Sequence, residues 1–145
     1  DLYDETNKAL EKIFSVEKAS PINLRPRDNS VVLAAGEPSI VVEKVMGKGG
    51  RNLNMGLESI KMKLIDNNSV FISFASDGMD NSDAAGAVVD KNTIKKSEKL
   101  GLDAGDYLNR FDSYTFFRKT GDMIMTGPTG ANVSDLMILL TKNGK

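Results

Sequence analysis

Apolar and polar positions change their period several times along the chain. Between residues 3 and 18, Leu10, Ile13, Phe14 and Val16 stand among charges, a short helical pattern. The prolines of Ala19-Ser20-Pro21 and Leu24-Arg25-Pro26-Arg27 then disfavour helix and predict an extended connector. Residues 1–29 therefore read as a linker or arm, partly helical, ahead of a domain over 30–145. Val31-Val32-Leu33-Ala34-Ala35 is a strand stopped by Gly36-Glu37-Pro38, and Ile40 to Val45 predicts a second. After the turn Gly47-Lys48-Gly49-Gly50, Leu53, Leu57, Ile60 and Leu64 fall at helical spacing. Val70 to Ala75 predicts a buried strand that ends in the acidic loop Ser76 to Asp83. Ala84 to Val89 fits helix or strand equally well. Thr93 reads as a helix N-cap with Gly101 as the stop, and Asp103 and Asp112 as caps of two more short helices. Asp122 to Met125 and Leu136 to Leu140 predict strands around a glycine loop. Strands interleaved with helices predict an α/β layered domain, a mixed sheet flanked by helices around one core.

Composition narrows the chemistry. The chain has 145 residues, enough for one core, and its 19 basic and 20 acidic side chains nearly cancel. Nothing neutralises a phosphate backbone, so nucleic acid is not an expected partner. No apolar run is long enough to span a bilayer and no leader precedes the first elements, so the expectation is a soluble, cytoplasmic protein without a membrane partner. The sequence has no cysteine and no histidine. Thiolate nucleophiles, zinc–thiolate sites and serine–histidine triads are excluded within it. Proton transfer near neutral pH is left to carboxylates, lysine, tyrosine, water or the substrate.

Three loops, each after a strand, hold most of the reactive side chains, and ligands in open α/β sheets bind beyond strand carboxyl ends. In Gly47-Lys48-Gly49-Gly50-Arg51-Asn52 the glycines allow close approach of an anion, Arg51 offers a two-pronged donor and Lys48 a point charge. A plain turn with solvated charges reads the same residues. The loop is not a dinucleotide fingerprint, because Asn52 stands where the third glycine belongs, and it is not a Walker loop. Asp77, Asp80 and Asp83 form the second cluster; Asp77 and Asp80 are candidates for magnesium or a substrate hydroxyl, and ordinary turn formers otherwise. Thr126-Gly127-Pro128-Thr129-Gly130 either presents donors to an anion or makes a turn locked by Pro128.

Taken in order, these segments resemble a known family. Gly47-Lys48-Gly49-Gly50-Arg51-Asn52 is similar to its Gly-Arg-Gly-Gly-Arg-Asn. Ser76-Asp77-Gly78-Met79-Asp80 with Asp83-Ala84-Ala85-Gly86-Ala87 is similar to Thr-Asp-Gly-x-Asp-Gly followed by Asp-Ala-Ala-Gly-Ala. Asp112-Ser113-Tyr114-Thr115-Phe116-Phe117 resembles Asp-Ser-Tyr-x-Phe-Phe, and Thr126 to Leu136 resembles Thr-Gly-Pro-Thr-Gly-Thr-Asn-Val-x-Asp-Leu. The family is the class II glycerate kinases, whose carboxy-terminal half contains the MOFRL domain. The match runs from about Val31 to Leu140. It departs at Ala34-Ala35, at Leu53-Asn54 and in an acidic loop one residue shorter between Asp80 and Asp83.

The resemblance implies transfer of the ATP γ-phosphoryl group to D-glycerate, at the 2-hydroxyl, with Mg2+. It implies a cleft shared with an amino-terminal domain that this sequence does not contain, so that the isolated domain is inactive; a homo-oligomer is allowed. Arg51, Asp77 and Asp80 then take the catalytic roles, Asp77 and Asp80 as metal ligands. Glu37, Lys48, Gly49, Gly50, Asn52, Thr129, Gly130 and Asn132 take the substrate or phosphate contacts. Two rivals stand beside this reading: a hydroxypyruvate reductase, and a non-catalytic module that packs against or dimerises a partner domain.

Overall fold

Residues 4–19, 29–42 and 47–142 are described by the computed structural model, those from 17 to 19 by their backbone alone. The connector expected around Pro21 and Pro26 lies outside the described residues. The elements run α1 (Thr6–Ala19), β1 (Ser30–Gly36), α2 (Arg51–Lys61), β2 (Ser69–Ala75), β3 (Gly86–Val89), α3 (Lys91–Lys99), α4 (Ala104–Asn109), α5 (Ser113–Thr120), β4 (Met123–Ile124) and β5 (Asp135–Thr141). The interleaving of strands and helices thus produces the layered α/β domain that the periodicity predicts.

The sheet order is β1-β5-β2-β3-β4. Where a mixed sheet was expected, the named strand pairs are antiparallel throughout. The reason is the place of β5. The pairs Gly36↔Asp135 and Ala75↔Asp135 put β1 and β2 on either side of it. Those two strands, joined through α2, run the same way as a β-α-β unit requires. The last strand enters between them from the opposite direction, so no parallel neighbours remain.

Alternation along β2 and β5 buries Phe71, Met137 and Leu139 on one face, where α1 and α2 cover them. Ala9, Leu10, Ile13 and Phe14 of α1 belong to that core, and the Phe14 ring lies 5.8 Å from that of Phe71. The helical part of the segment read as an arm is therefore seated on the domain. Each large apolar side chain buried here contributes roughly 1.5–3 kcal/mol relative to exposure. On the other face Val31 and Leu33 are 58% and 72% exposed, so no described element covers that side.

Local signals were read with mixed accuracy. Ala84 to Val89, open from sequence, supplies strand β3. Asp103 caps α4, accepting from the Asp106 N–H at 2.8 Å. The N-cap of α3 is Asp90 and not Thr93, which sits at N3 and completes a capping box. No strand forms at 40–42. After Pro38 the chain turns toward α1, where Ser39 exchanges backbone hydrogen bonds with Asp4 and Thr6 instead of pairing with the open edge of β1. Residues 43–46 of the expected strand lie outside the described residues.

Candidate active site

The register Gly36↔Asp135↔Ala75 gathers three connections at one end of the sheet: the segment after β1, the loop after β2 and the loop before β5. A cleft of about 340 Å³ opens there. Of the candidate residues, Glu37, Arg51, Asp77 and Asn132 line it, together with Gly50 and Asp80. A second cleft of about 310 Å³ between α1 and α2 shares Ile40 and Phe111 with it but holds none of the motif carboxylates.

Asp80 organises the site. It is 4% exposed, and its Oδ2 accepts from the Leu53 N–H at 2.8 Å while Oδ1 accepts from the Asn52 N–H at 3.1 Å and its amide at 3.2 Å. Those backbone donors are the orphan N–H groups of the first turn of α2. The glycine loop therefore does lead into an anion site, and the anion in it is the carboxylate of Asp80. Gly50 is required for this approach, since a Cβ there would lie 2.3 Å from the Asp80 Cγ. Burial pushes the Asp80 carboxyl up to about 6, against the pull of the Leu53 and Asn52 hydrogen bonds.

Arg51 is the first residue of α2, and its Nε donates to Asp135 Oδ2 at 2.9 Å. Asp135 is 3% exposed and opens β5. It is not among the expected site residues, although it is the penultimate residue of the Thr126–Leu136 motif; a carboxylate at the start of an apolar run resembles a solvated strand end. Ser76, Asn81 and Phe111 were missed as lining residues too. Asn81, Phe111 and Ser134 hold positive φ angles of 50, 53 and 80° at or beside this cleft, backbone strain of the kind that concentrates at functional sites.

The loop before β5 is stitched to the loop after β2. Thr129 donates its hydroxyl to the Ser76 carbonyl at 2.6 Å and its N–H to the Asp77 carbonyl at 3.0 Å. The Val133 N–H donates to the Ser76 hydroxyl at 2.8 Å. Thr129 thus holds the wall from outside, while Gly130 is an exposed turn residue at φ +74°.

Other expected contacts lie elsewhere. Lys48 is paired with Asp83 at 2.9 Å and stands 4.1 Å over the Tyr114 ring, away from the cleft. Gly49 packs under Ser113, where a Cβ would sit 2.3 Å from the hydroxyl oxygen. Asn52 is buried in a network with Asp80 and Ser73, whose hydroxyl donates to its side-chain oxygen at 2.6 Å. Among the described residues no three acidic side chains converge. Both Asp80 oxygens are engaged by α2, and Asp77 Oδ1 accepts from the Met79 N–H at 2.9 Å. The described residues therefore do not form a dedicated all-carboxylate cage for magnesium.

Fold and cleft together define an α/β domain that presents an arginine and carboxylates at the strand ends. Residues 30–135 match the MOFRL family model, and the chain belongs to that family. It is 37% identical to the glycerate 2-kinase of Pyrococcus horikoshii over 83% of this chain and 28% of that protein. It is likewise 37% identical to the D-glycerate 2-kinase of Thermotoga maritima over 92% of this chain and 32% of that one. The crystal structure of glycerate kinase from Thermotoga maritima superposes with a TM-score of 0.81 at 34% identity, covering 97% of this chain and 34% of that chain. The chain thus spans about a third of the length of these relatives. No helix among the described residues is long and apolar enough to cross a membrane.

Proposed function

We propose that this domain forms the acceptor-side wall of an ATP-dependent glycerate kinase, whose product is D-glycerate phosphorylated at the 2-hydroxyl. The observation that carries the reading is the convergence of Arg51, Glu37, Asp77 and Asn132 on one cleft at the carboxyl ends of β1 and β2. Relatives named glycerate 2-kinase support the substrate. Phosphoryl transfer needs positioning and charge neutralisation more than covalent help. Arg51 supplies a fixed positive fork for the carboxylate or the transferred group. Asp77, half-exposed beside it, takes the attacking hydroxyl, and Glu37 biases the field at Arg51.

ATP and Mg2+ are then held by the amino-terminal domain that such an enzyme adds. In the first turn of α2 the Asn52 and Leu53 N–H groups are already taken by Asp80 and are closed to a phosphate. The same closure argues against a dinucleotide site, although a relative from Agrobacterium vitis, 35% identical over 84% of this chain, carries a provisional name as a hydroxypyruvate reductase.

The test is ATP-dependent phosphorylation of D-glycerate by the intact protein, with the product's position assigned by 31P NMR. The expected result is 2-phosphoglycerate, and loss of at least about tenfold in kcat/KM in Arg51→Ala, roughly 1.4 kcal/mol. Nicotinamide oxidation with hydroxypyruvate and no phosphorylation would replace the proposal by the reductase. Turnover unchanged in Arg51→Ala and Asp77→Ala would reduce the domain to a packing module.

A further inference from the structure

Among the described residues Arg51 carries the only guanidinium lining the cleft, and one of its edges is already committed. Its Nε lies 2.9 Å from Asp135 Oδ2, and no other hydrogen bond runs from this guanidinium to a described residue. The two partners differ in kind: the Arg51 side chain is 39% exposed, the Asp135 side chain 4%. Asp135 is also among the best-fixed positions in the domain. It opens β5, which lies between β1 and β2, and pairs across both neighbours, with Gly36 on one side and Ala75 on the other.

A buried carboxylate on an interior strand thus grips the inner edge of an arginine that starts a helix. An arginine free in solvent samples many rotamers, with about 2 kcal/mol of side-chain entropy to lose. Held by Nε, the guanidinium keeps its two terminal amino groups for the cleft. Those two parallel N–H donors match the two oxygens of a carboxylate.

From this geometry we propose that Asp135 is a positioning residue that sets Arg51 to bind the carboxylate of the acceptor end-on, so that the pair selects for an anionic acceptor. The inference rests on the glycerate kinase reading for the identity of that acceptor, and on the ion pair alone for the anchoring.

The experiment uses the intact protein, with Asp135→Asn, Asp135→Glu, Arg51→Ala and the double variant Asp135→Asn/Arg51→Ala. In Asp135→Asn the KM for D-glycerate is expected to rise about tenfold or more, with the KM for ATP within about twofold. Asp135→Glu, which keeps the charge, restores most of that loss. The double variant is no worse than Arg51→Ala alone, because one residue acts through the other. Preference for D-glycerate over uncharged glyceramide narrows in Asp135→Asn by the same factor.

A second readout is independent of catalysis. In protein labelled with 15N-arginine, the Arg51 Nε–H resonance, assigned by its absence in Arg51→Ala, is protected from solvent exchange in the wild type and loses that protection in Asp135→Asn. Protection unchanged by Asp135→Asn overturns the anchor, whatever the activity. Protection lost with the KM for D-glycerate unmoved, or losses in the double variant that simply add, overturns the carboxylate assignment. A wild type that does not phosphorylate glycerate, yet shows the protected resonance and its loss, overturns the enzyme reading and leaves the anchor standing. Should Asp135→Asn fail to fold, Asp135→Glu and Arg51→Lys carry the test: the lysine, without an Nε edge, must raise the KM for glycerate as much as Arg51→Ala to within about threefold, and a near-wild-type KM overturns the end-on fork.

Discussion

The Oδ2 of Asp80 lies 2.8 Å from the backbone nitrogen of Leu53, a contact that ties the loop after β2 to the first turn of α2. Through it, the helix that begins with Arg51 is held against the strand end that presents Asp77. Most of what the cleft can do depends on that closure.

Because burial raises the Asp80 carboxyl from 3.8 to about 6, its contribution to stability depends on pH. Below about pH 4 folded and unfolded chains both hold the proton. Between about 4 and 6 the unfolded chain releases it first, so this contribution is lost as pH rises through 6. A shift of about two units corresponds to on the order of 3 kcal/mol. Urea denaturation of wild type and Asp80→Asn between pH 4 and 7 should give a stability difference that moves against the wild type by roughly that amount. Asp4, Asp83 and Asp90, all lowered, act in the opposite sense but equally in both proteins. A difference flat across that range would refute the assignment.

Gly50→Ala should break the same closure from the other side. The added Cβ would meet both the Cγ and the backbone oxygen of Asp80 at 2.3 Å. Overpacking together with a lost cap costs roughly 2–4 kcal/mol. The thermal midpoint should fall, and the Asn52 and Leu53 amides should gain hydrogen exchange before the rest of α2. Wild-type protection at those two amides would contradict this account.

The family match begins at residue 30, yet α1 lies before it and supplies part of the core. Phe14→Ala is expected to cost about 3–5 kcal/mol, as for other buried phenylalanines. A chain that starts at residue 30 should lose dispersed methyl resonances in its NMR spectrum, since Phe71 and Leu53 would face water. A cooperative, well-dispersed truncated domain would mean that α1 is dispensable.

Lys48→Ala separates the cleft from its surroundings. Its ammonium is 2.9 Å from Asp83, and both side chains are about half exposed. The substitution should change kcat/KM for glycerate less than about twofold, where Arg51→Ala changes it tenfold or more. Equal losses in the two variants would bring Lys48 back to the substrate.

Local chemistry made much of this domain legible. The β-branched run at Val31 and the apolar run at Val70 became β1 and β2, and the leucine spacing from Leu53 became α2. The acidic and threonine–glycine loops do follow strands, β2 and β4, whereas no strand forms at 40–42 ahead of the loop at Gly47. What escaped were relationships between distant residues. No local pattern says that β5 enters between β1 and β2, nor that Asp80 reaches across 27 residues to cap α2. The residues from Ile40 read as a strand because their composition suits one, but Ser39 just before them exchanges its backbone hydrogen bonds with Asp4 and Thr6, more than thirty positions away. Asp135 escaped for the same reason: its partner, Arg51, is 84 positions away.

The place of β5 also bears on how the domain comes into being. It is the last strand in chain order and the central one of the three longest. While it is still being synthesised, β1 and β2 have no partner in the slot between them, and each presents an unpaired edge of the kind that recruits other chains. Closing the gap joins residues about a hundred positions apart, a slow step for a growing chain. The sheet is completed by filling an interior slot, and the residue paired with Arg51 arrives with the strand that fills it.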